Sequence, residues 1–118
     1  AGTLRELAWP VVIDANVEPV FVSDSDGMRI YCRSLSFLLI VATHELYPRA
    51  HVFVDYSVPY GGYFCRVEDR DMFTPDELSN LKEHMRQLVD DDLPIERLRV
   101  SVSKAAGIFK VRGEHDKV

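Results

Sequence analysis

The chain has 118 residues, 47% of them hydrophobic, and a formal charge of −5 from 14 Lys plus Arg against 19 Asp plus Glu. That length is one ordinary domain, and the apolar content argues against a disordered tract. The charge is spread evenly, with 4 basic and 7 acidic residues in positions 1–58 and 10 and 12 in positions 59–118; with no basic arm, tight phosphate-driven nucleic-acid binding is disfavoured.

Residues 1–10, "AGTLRELAWP", predict a short helical turn ended by Pro10. From Val11 to Val22 the pattern reads as extended. "DSDG" then reads as a turn with Gly27 at positive φ, and "MRIYCRS" alternates Met28, Ile30 and Cys32 against Arg29, Tyr31 and Arg33. The expectation is a β-hairpin over this region. Ser34 is placed to cap a following helix, in which Leu35, Leu38, Leu39, Ala42 and Leu46 keep helical spacing. Phe37, Ile40 and Val41 widen the apolar face, so this helix is expected to be buried on several sides until Pro48 stops it.

"AHVFVDYS" predicts a strand with Val52 and Val54 alternating against Phe53 and Asp55, "PYGG" a turn, and "YFCRVE" a second strand closing a hairpin. In "FTPDE", Thr74 is the N-cap, Pro75 the first helical residue and Glu77 the far half of a capping box. Leu78, Leu81, Met85 and Leu88 follow as a stripe, and "DDDLP" ends the helix. "IERLRVSV" predicts another strand, with Ile95, Leu98 and Val100 as its apolar members. Ser101 starts a last helix that Gly113 closes. The order predicts an α+β fold, a mostly antiparallel sheet with helices packed on one face.

Catalytic signals are sparse. GxxxxGK[ST], GxSxG and HExxH are all absent. His44, His51, His84 and His115 show no i, i+3 or i+4 pairing, and neither Cys32 nor Cys65 sits in a CxxC pair, so no metal site is expected. His44 falls near a helix C-terminus, where the dipole favours its protonated form. Cys65 has no base beside it in sequence and reads as a packed thiol. "DDD" at 90–92 reads as a solvated helix end rather than a cation site. Two cysteines are too few for a disulfide framework, no signal peptide precedes them, and the longest apolar run is far short of the roughly 20 residues that span a bilayer. The expected setting is cytoplasmic.

Residues 28–118 resemble the editing-type, or second additional, domain of threonyl-tRNA synthetase. The resemblance rests on Leu46, Tyr47 and Pro48 ending a helix, on Gly62, Tyr63 and Phe64 opening a strand, and on Phe73 and Thr74 ahead of a helix containing "EHMRQLV". Val100–Ser101, Ala105 to Phe109, and Arg112, Gly113, Glu114, Lys117 and Val118 complete it. The resemblance implies an HxxxH pair on the first helix, facing an editing pocket. Aligned on Leu-Tyr-Pro, those two positions are Phe37 and Val41, and His44 is out of register. A further Cys–x–x–x–His constellation of the family lies past the end of this chain. Neither Phe37 nor Val41 orients water or shuttles a proton, so no catalytic residue is expected.

Within that resemblance, "DGMRIYCRSLSFLL", "ELYPRAHVFV" and "GGYFC" look like the front region of bacterial nucleoside kinases of the uridine kinase and phosphoribulokinase group, which join a TGS-like and synthetase-like half to a P-loop kinase domain. The resemblance implies residues 1–33 as an incomplete TGS-like strand region, 34–118 as the synthetase-like module, and a kinase domain as intramolecular partner. It implies no cofactor in this chain, with ATP and Mg belonging to the absent kinase domain. Residues 11–33 are expected to pack on the main module, and an exposed sheet edge to support a homodimer. Three functions follow as expectations: a non-catalytic accessory or regulatory module, a tRNA-binding or editing-type domain without its HxxxH pair, and a small-molecule sensor. The candidate pocket for the last two is Phe37 and Val41 lined by Asp55, Tyr63 and Cys65.

Overall fold

A computed structural model describes residues 2–113. His115 and the closing Glu114, Lys117 and Val118 of the synthetase-like pattern lie outside the described residues. Contacts divide the chain into two compact units, residues 1–85 and 86–118.

In the first unit, residues 2–22 form no strand ladder; a turn carried by the Trp9 N–H on the Glu6 carbonyl (3.0 Å) is their one described backbone contact before Phe21. The first long element is helix α1, Ser25–Leu46. It begins nine residues earlier than the expected cap at Ser34, and it replaces the hairpin expected over 20–33. "DSDG" is a helix start. The Asp24 N–H donates to the Phe21 carbonyl (2.9 Å), and the Phe21 N–H donates back to Asp24 Oδ2 (2.8 Å). Gly27 is buried inside the first turn and is not at positive φ. A Cβ there would stand 1.8 Å from the Phe21 carbonyl oxygen, so the glycine serves close backbone approach. Ser34 is mid-helix, its hydroxyl donating to the Ile30 carbonyl four residues back (3.0 Å), and Ser36 does the same to Cys32.

Cys32, Ser36, Leu39 and Thr43, spaced four, three and four apart, form the inward stripe of α1; Ala42 and Thr43 are fully covered. Arg33, Phe37, Ile40 and His44 form the stripe roughly 100° round the helix from it, and it is exposed, Phe37 to 54%. Leu38 and Val41 are half-buried and Ala42 is buried beside the inward stripe, so the helix is covered round much of its circumference and open along the Arg33–His44 stripe. The Tyr47 N–H closes it on the Thr43 carbonyl (2.7 Å), and Pro48 forbids continuation.

Strands β1, His51–Val58, and β2, Gly62–Glu68, form the expected antiparallel hairpin. The turn Pro59–Gly61 puts Tyr60 and Gly61 at φ of 69° and 81°, the left-handed pair that joins right-twisted strands. A bulge leaves Asp55 unpaired between the Val54–Cys65 and Tyr56–Phe64 pairs. One face carries Phe53, Tyr56, Phe64 and Arg66. The other carries Val52, Val54, Cys65 and Val67, and α1 lies on this side, mainly along β1. The architecture is α+β, with an antiparallel sheet among the described residues made of these two strands.

Helix α2, Pro75–Asp90, starts with the expected capping box: the Glu77 N–H donates to Thr74 Oγ1 (3.2 Å) and the Thr74 N–H donates to Glu77 Oε2 (2.9 Å). Leu81 is its buried anchor at 3% exposure, whereas Leu78 is half exposed. His84 joins the first unit's core side to α1 through Glu45 (2.6 Å). Arg70 clasps the approach to α2. Its guanidinium lies 4.4 Å from the Phe73 ring and 5.2 Å from that of Tyr47, with a 2.6 Å ion pair to Glu77.

In the second unit, α2 unwinds at Asp91 and Asp92, the latter at φ 47°, as the acidic run predicted. The strand expected over 95–102 does not form; residues 95–101 are irregular, with no ladder among the described residues to join, and Val102 already begins the next helix. Helix α3, Val102–Val111, is capped as expected, the Lys104 N–H donating to Ser101 Oγ (3.3 Å), and Gly113 follows at φ 75°.

Candidate functional site

The five candidate positions come from two elements, α1 and the hairpin. Phe37 stands on the open stripe of α1 and Val41 is half-buried beside it. On the hairpin, Tyr63 and Cys65 occupy the α1 side, and the Tyr63 phenol interacts with the Cys32 thiol on the inward stripe of the helix. Cys32 lies off the open stripe that carries Phe37, so the Tyr63 contact reaches α1 away from the two apolar positions.

Asp55 turns the other way. As the bulge residue it pairs with Arg66 (3.1 Å), which also holds Glu68 and lies 4.7 Å over the Phe53 ring. A guanidinium held by two carboxylates and stacked on a ring is a saturated cation. It offers little to a phosphate.

The titration behaviour of these groups follows from the same packing. The interaction with Cys32 raises the Tyr63 phenol above its ordinary value. Burial, helped by the Asp55 charge, raises the Cys65 thiol. An activated nucleophile needs the reverse, a thiol lowered by a cation or base. Cys65 is thus a protonated thiol at neutral pH.

The histidines are placed structurally. His44 sits in the last turn of α1, as expected. His51 Nδ1 meets Asp69 Oδ2 at 2.5 Å across the open end of the hairpin, and His84 meets Glu45. Among the described residues, no three His, Cys, Asp or Glu side chains gather where they could hold a metal ion. Both cysteines are free. No described helix is long and apolar enough to cross a membrane.

Two surfaces were not singled out from sequence. On the outer face of the hairpin, Tyr56 and Phe64 stack at 5.1 Å with planes 10° apart, both well exposed. The bulge brings them together, and no local spacing signals a bulge. On α3, Gly107, Ile108 and Val111 floor an open trough of about 540 Å³ between Lys104 and Arg112. Its i, i+3, i+4 spacing was legible, but its exposure was not.

Comparison with known proteins gives one consistent answer. The chain is 34% identical over 117 residues to the threonine–tRNA ligase of Hahella chejuensis, covering 99% of this chain and 18% of that protein. It is 38% identical over 116 residues to that of Burkholderia lata and 34% identical over 116 to that of Nitrosomonas eutropha, each time covering 98% of this chain and 18% of the relative. No family model and no solved structure matches. The chain spans under a fifth of the length of these relatives. Along nearly its whole length, the chain is similar to a segment of threonine–tRNA ligases.

Proposed function

We propose that the chain is a non-catalytic accessory module of a longer protein, built on a threonyl-tRNA synthetase-like scaffold. The observation that carries this reading is the pair Phe37 and Val41. Where the resemblance calls for two imidazoles, a phenyl ring and an isopropyl group stand on α1, and neither accepts or delivers a proton. The raised Cys65 thiol and the Asp55–Arg66 pair supply no substitute. Two free cysteines suit a reducing, cytoplasmic compartment.

The test is hydrolysis. The purified chain, incubated with a mischarged threonine tRNA, is expected to leave the ester intact at the uncatalysed rate. Deacylation above that rate overturns the proposal.

What the module serves has two readings. The similarity to threonine–tRNA ligases over 98–99% of the chain favours a tRNA-related binding role without chemistry. A mobility shift of tRNA by the chain supports it. A nucleoside kinase parent rests on "DGMRIYCRSLSFLL", "ELYPRAHVFV" and "GGYFC" alone, together with the lost imidazole positions, whereas the relatives named above are threonine–tRNA ligases. A GxxxxGK[ST] encoded after Val118, in a protein that phosphorylates nucleosides with ATP and Mg, would decide for it.

A further inference from the structure

Among the described residues, the two strands leave two edges without a partner strand, and they are unlike. The outer edge of β1 is broken by the bulge at Asp55, a device that obstructs strand addition, and α1 runs along that strand. β2 is regular from Gly62 to Glu68, with no bulge and no proline. A hairpin of two strands is marginal unless further strands or a helix pack on it; α1 covers one face here and leaves the β2 edge without a partner strand among the described residues.

The sequence of β2 is complementary to itself. If two copies pair antiparallel about a two-fold axis at Cys65, the middle residue, all seven positions are used. Tyr63 then faces Val67 of the partner, an aromatic–β-branched pair, and Gly62 faces Glu68. Phe64 faces Arg66, whose alkyl stem can cover the ring while its guanidinium stays with Asp55, Glu68 and Phe53. Moving the axis to Arg66 sets two guanidinium groups against each other. Moving it to Val67 pairs Arg66 with Glu68 but leaves the first half of the strand opposite residues beyond the strand end.

We propose that β2 pairs with β2 of a second copy, making a four-stranded sheet with Cys65 on the two-fold axis. Directly opposed residues of an antiparallel pair have Cα atoms about 4.5–5.5 Å apart, within the roughly 4.4–6.8 Å that a disulfide bridges. Cys65 is exposed enough to report on the pairing. The pairing stands apart from the accessory role, since a monomeric chain would abolish it and leave the deacylation result untouched.

The experiment is sedimentation equilibrium of the full chain combined with oxidative trapping. A concentration-dependent doubling of the 13.5 kDa mass is expected. A thiol oxidant should give a covalent dimer whose mapped bond joins Cys65 to Cys65, lost in Cys65→Ser while the sedimentation dimer persists. Phe64→Arg, which opposes two cations, should weaken the dimer at least about tenfold with unchanged circular dichroism. If Phe64→Arg unfolds, the mapped bond in the natural chain decides alone. A monomer at every concentration, or a dimer trapped only through Cys32, overturns the proposal.

Discussion

Gly27 shows how one residue sets where an element begins. Alanine is favoured over glycine in a helix by about 1 kcal/mol, so propensity alone predicts that Gly27→Ala stabilises α1. The Phe21 carbonyl reverses the sign. Its oxygen would stand 1.8 Å from the new Cβ, and the Asp24 N–H holds it in place. Gly27→Ala is expected to destabilise by about 1–3 kcal/mol, as overpacking does, read as a lower urea midpoint with loss of protection at residues 21–28. Thr43 offers the opposite case. It is 1% exposed, and its hydroxyl has no hydrogen-bond partner. Thr43→Val keeps the shape and removes the unsatisfied group, so a gain of about 1 kcal/mol in urea-unfolding free energy is expected.

Among the elements, those whose caps are written locally were legible. α2 and α3 carry their caps in sequence, Thr74 with Glu77 and Ser101 with Gly113, and the structure places both as read. The β1–β2 hairpin was legible because its turn and its alternation agree. The region before Ser34 was misread for a physical reason. "MRIYCR" alternates over six residues, which suits a strand, but it pairs with no strand among the described residues, and the Asp24–Phe21 exchange of hydrogen bonds starts a helix there instead. Thr74→Ala removes an N-cap and is expected to cost about 1 kcal/mol, read by chemical unfolding. The other half of the box sets a pH dependence. The hydrogen bond from Arg70, then the Thr74 N–H, holds the Glu77 carboxyl below the ordinary carboxylate range. A group depressed in the folded state contributes stability above its unfolded value, near about 4.3, and loses it as pH falls through the folded value. Acid titration should therefore loosen the first turn of α2, followed by amide shifts at 74–78, and Glu77→Gln should flatten that response.

At the scale of the molecule, the described residues bury few large side chains. Leu81 is covered, while Phe37, Ile40, Tyr56 and Phe64 are open. Such faces invite further contacts, and the β2 edge is where the hydrogen-bonding capacity is also free. Amide exchange in β2 is expected to slow as protein concentration rises, while exchange at the outer edge of β1 stays constant. Measuring both strands at two concentrations by mass spectrometry checks this; equal behaviour of the strands would contradict an edge pairing through β2.

Of the candidate pocket, the sequence determined the part that matters chemically: the residue types at Phe37 and Val41 and their separation by one helical turn are fixed whatever surrounds them. It likewise determined the caps and the hairpin, because those are written in residues within hydrogen-bonding reach along the chain. Only the tertiary structure decided that Phe37 is open, that Asp55 turns to Arg66, and that Tyr63 meets Cys32. Each of those depends on a bulge or on which face of a helix meets a sheet, and neither is a property of local spacing, since both are settled by contacts between elements distant in sequence.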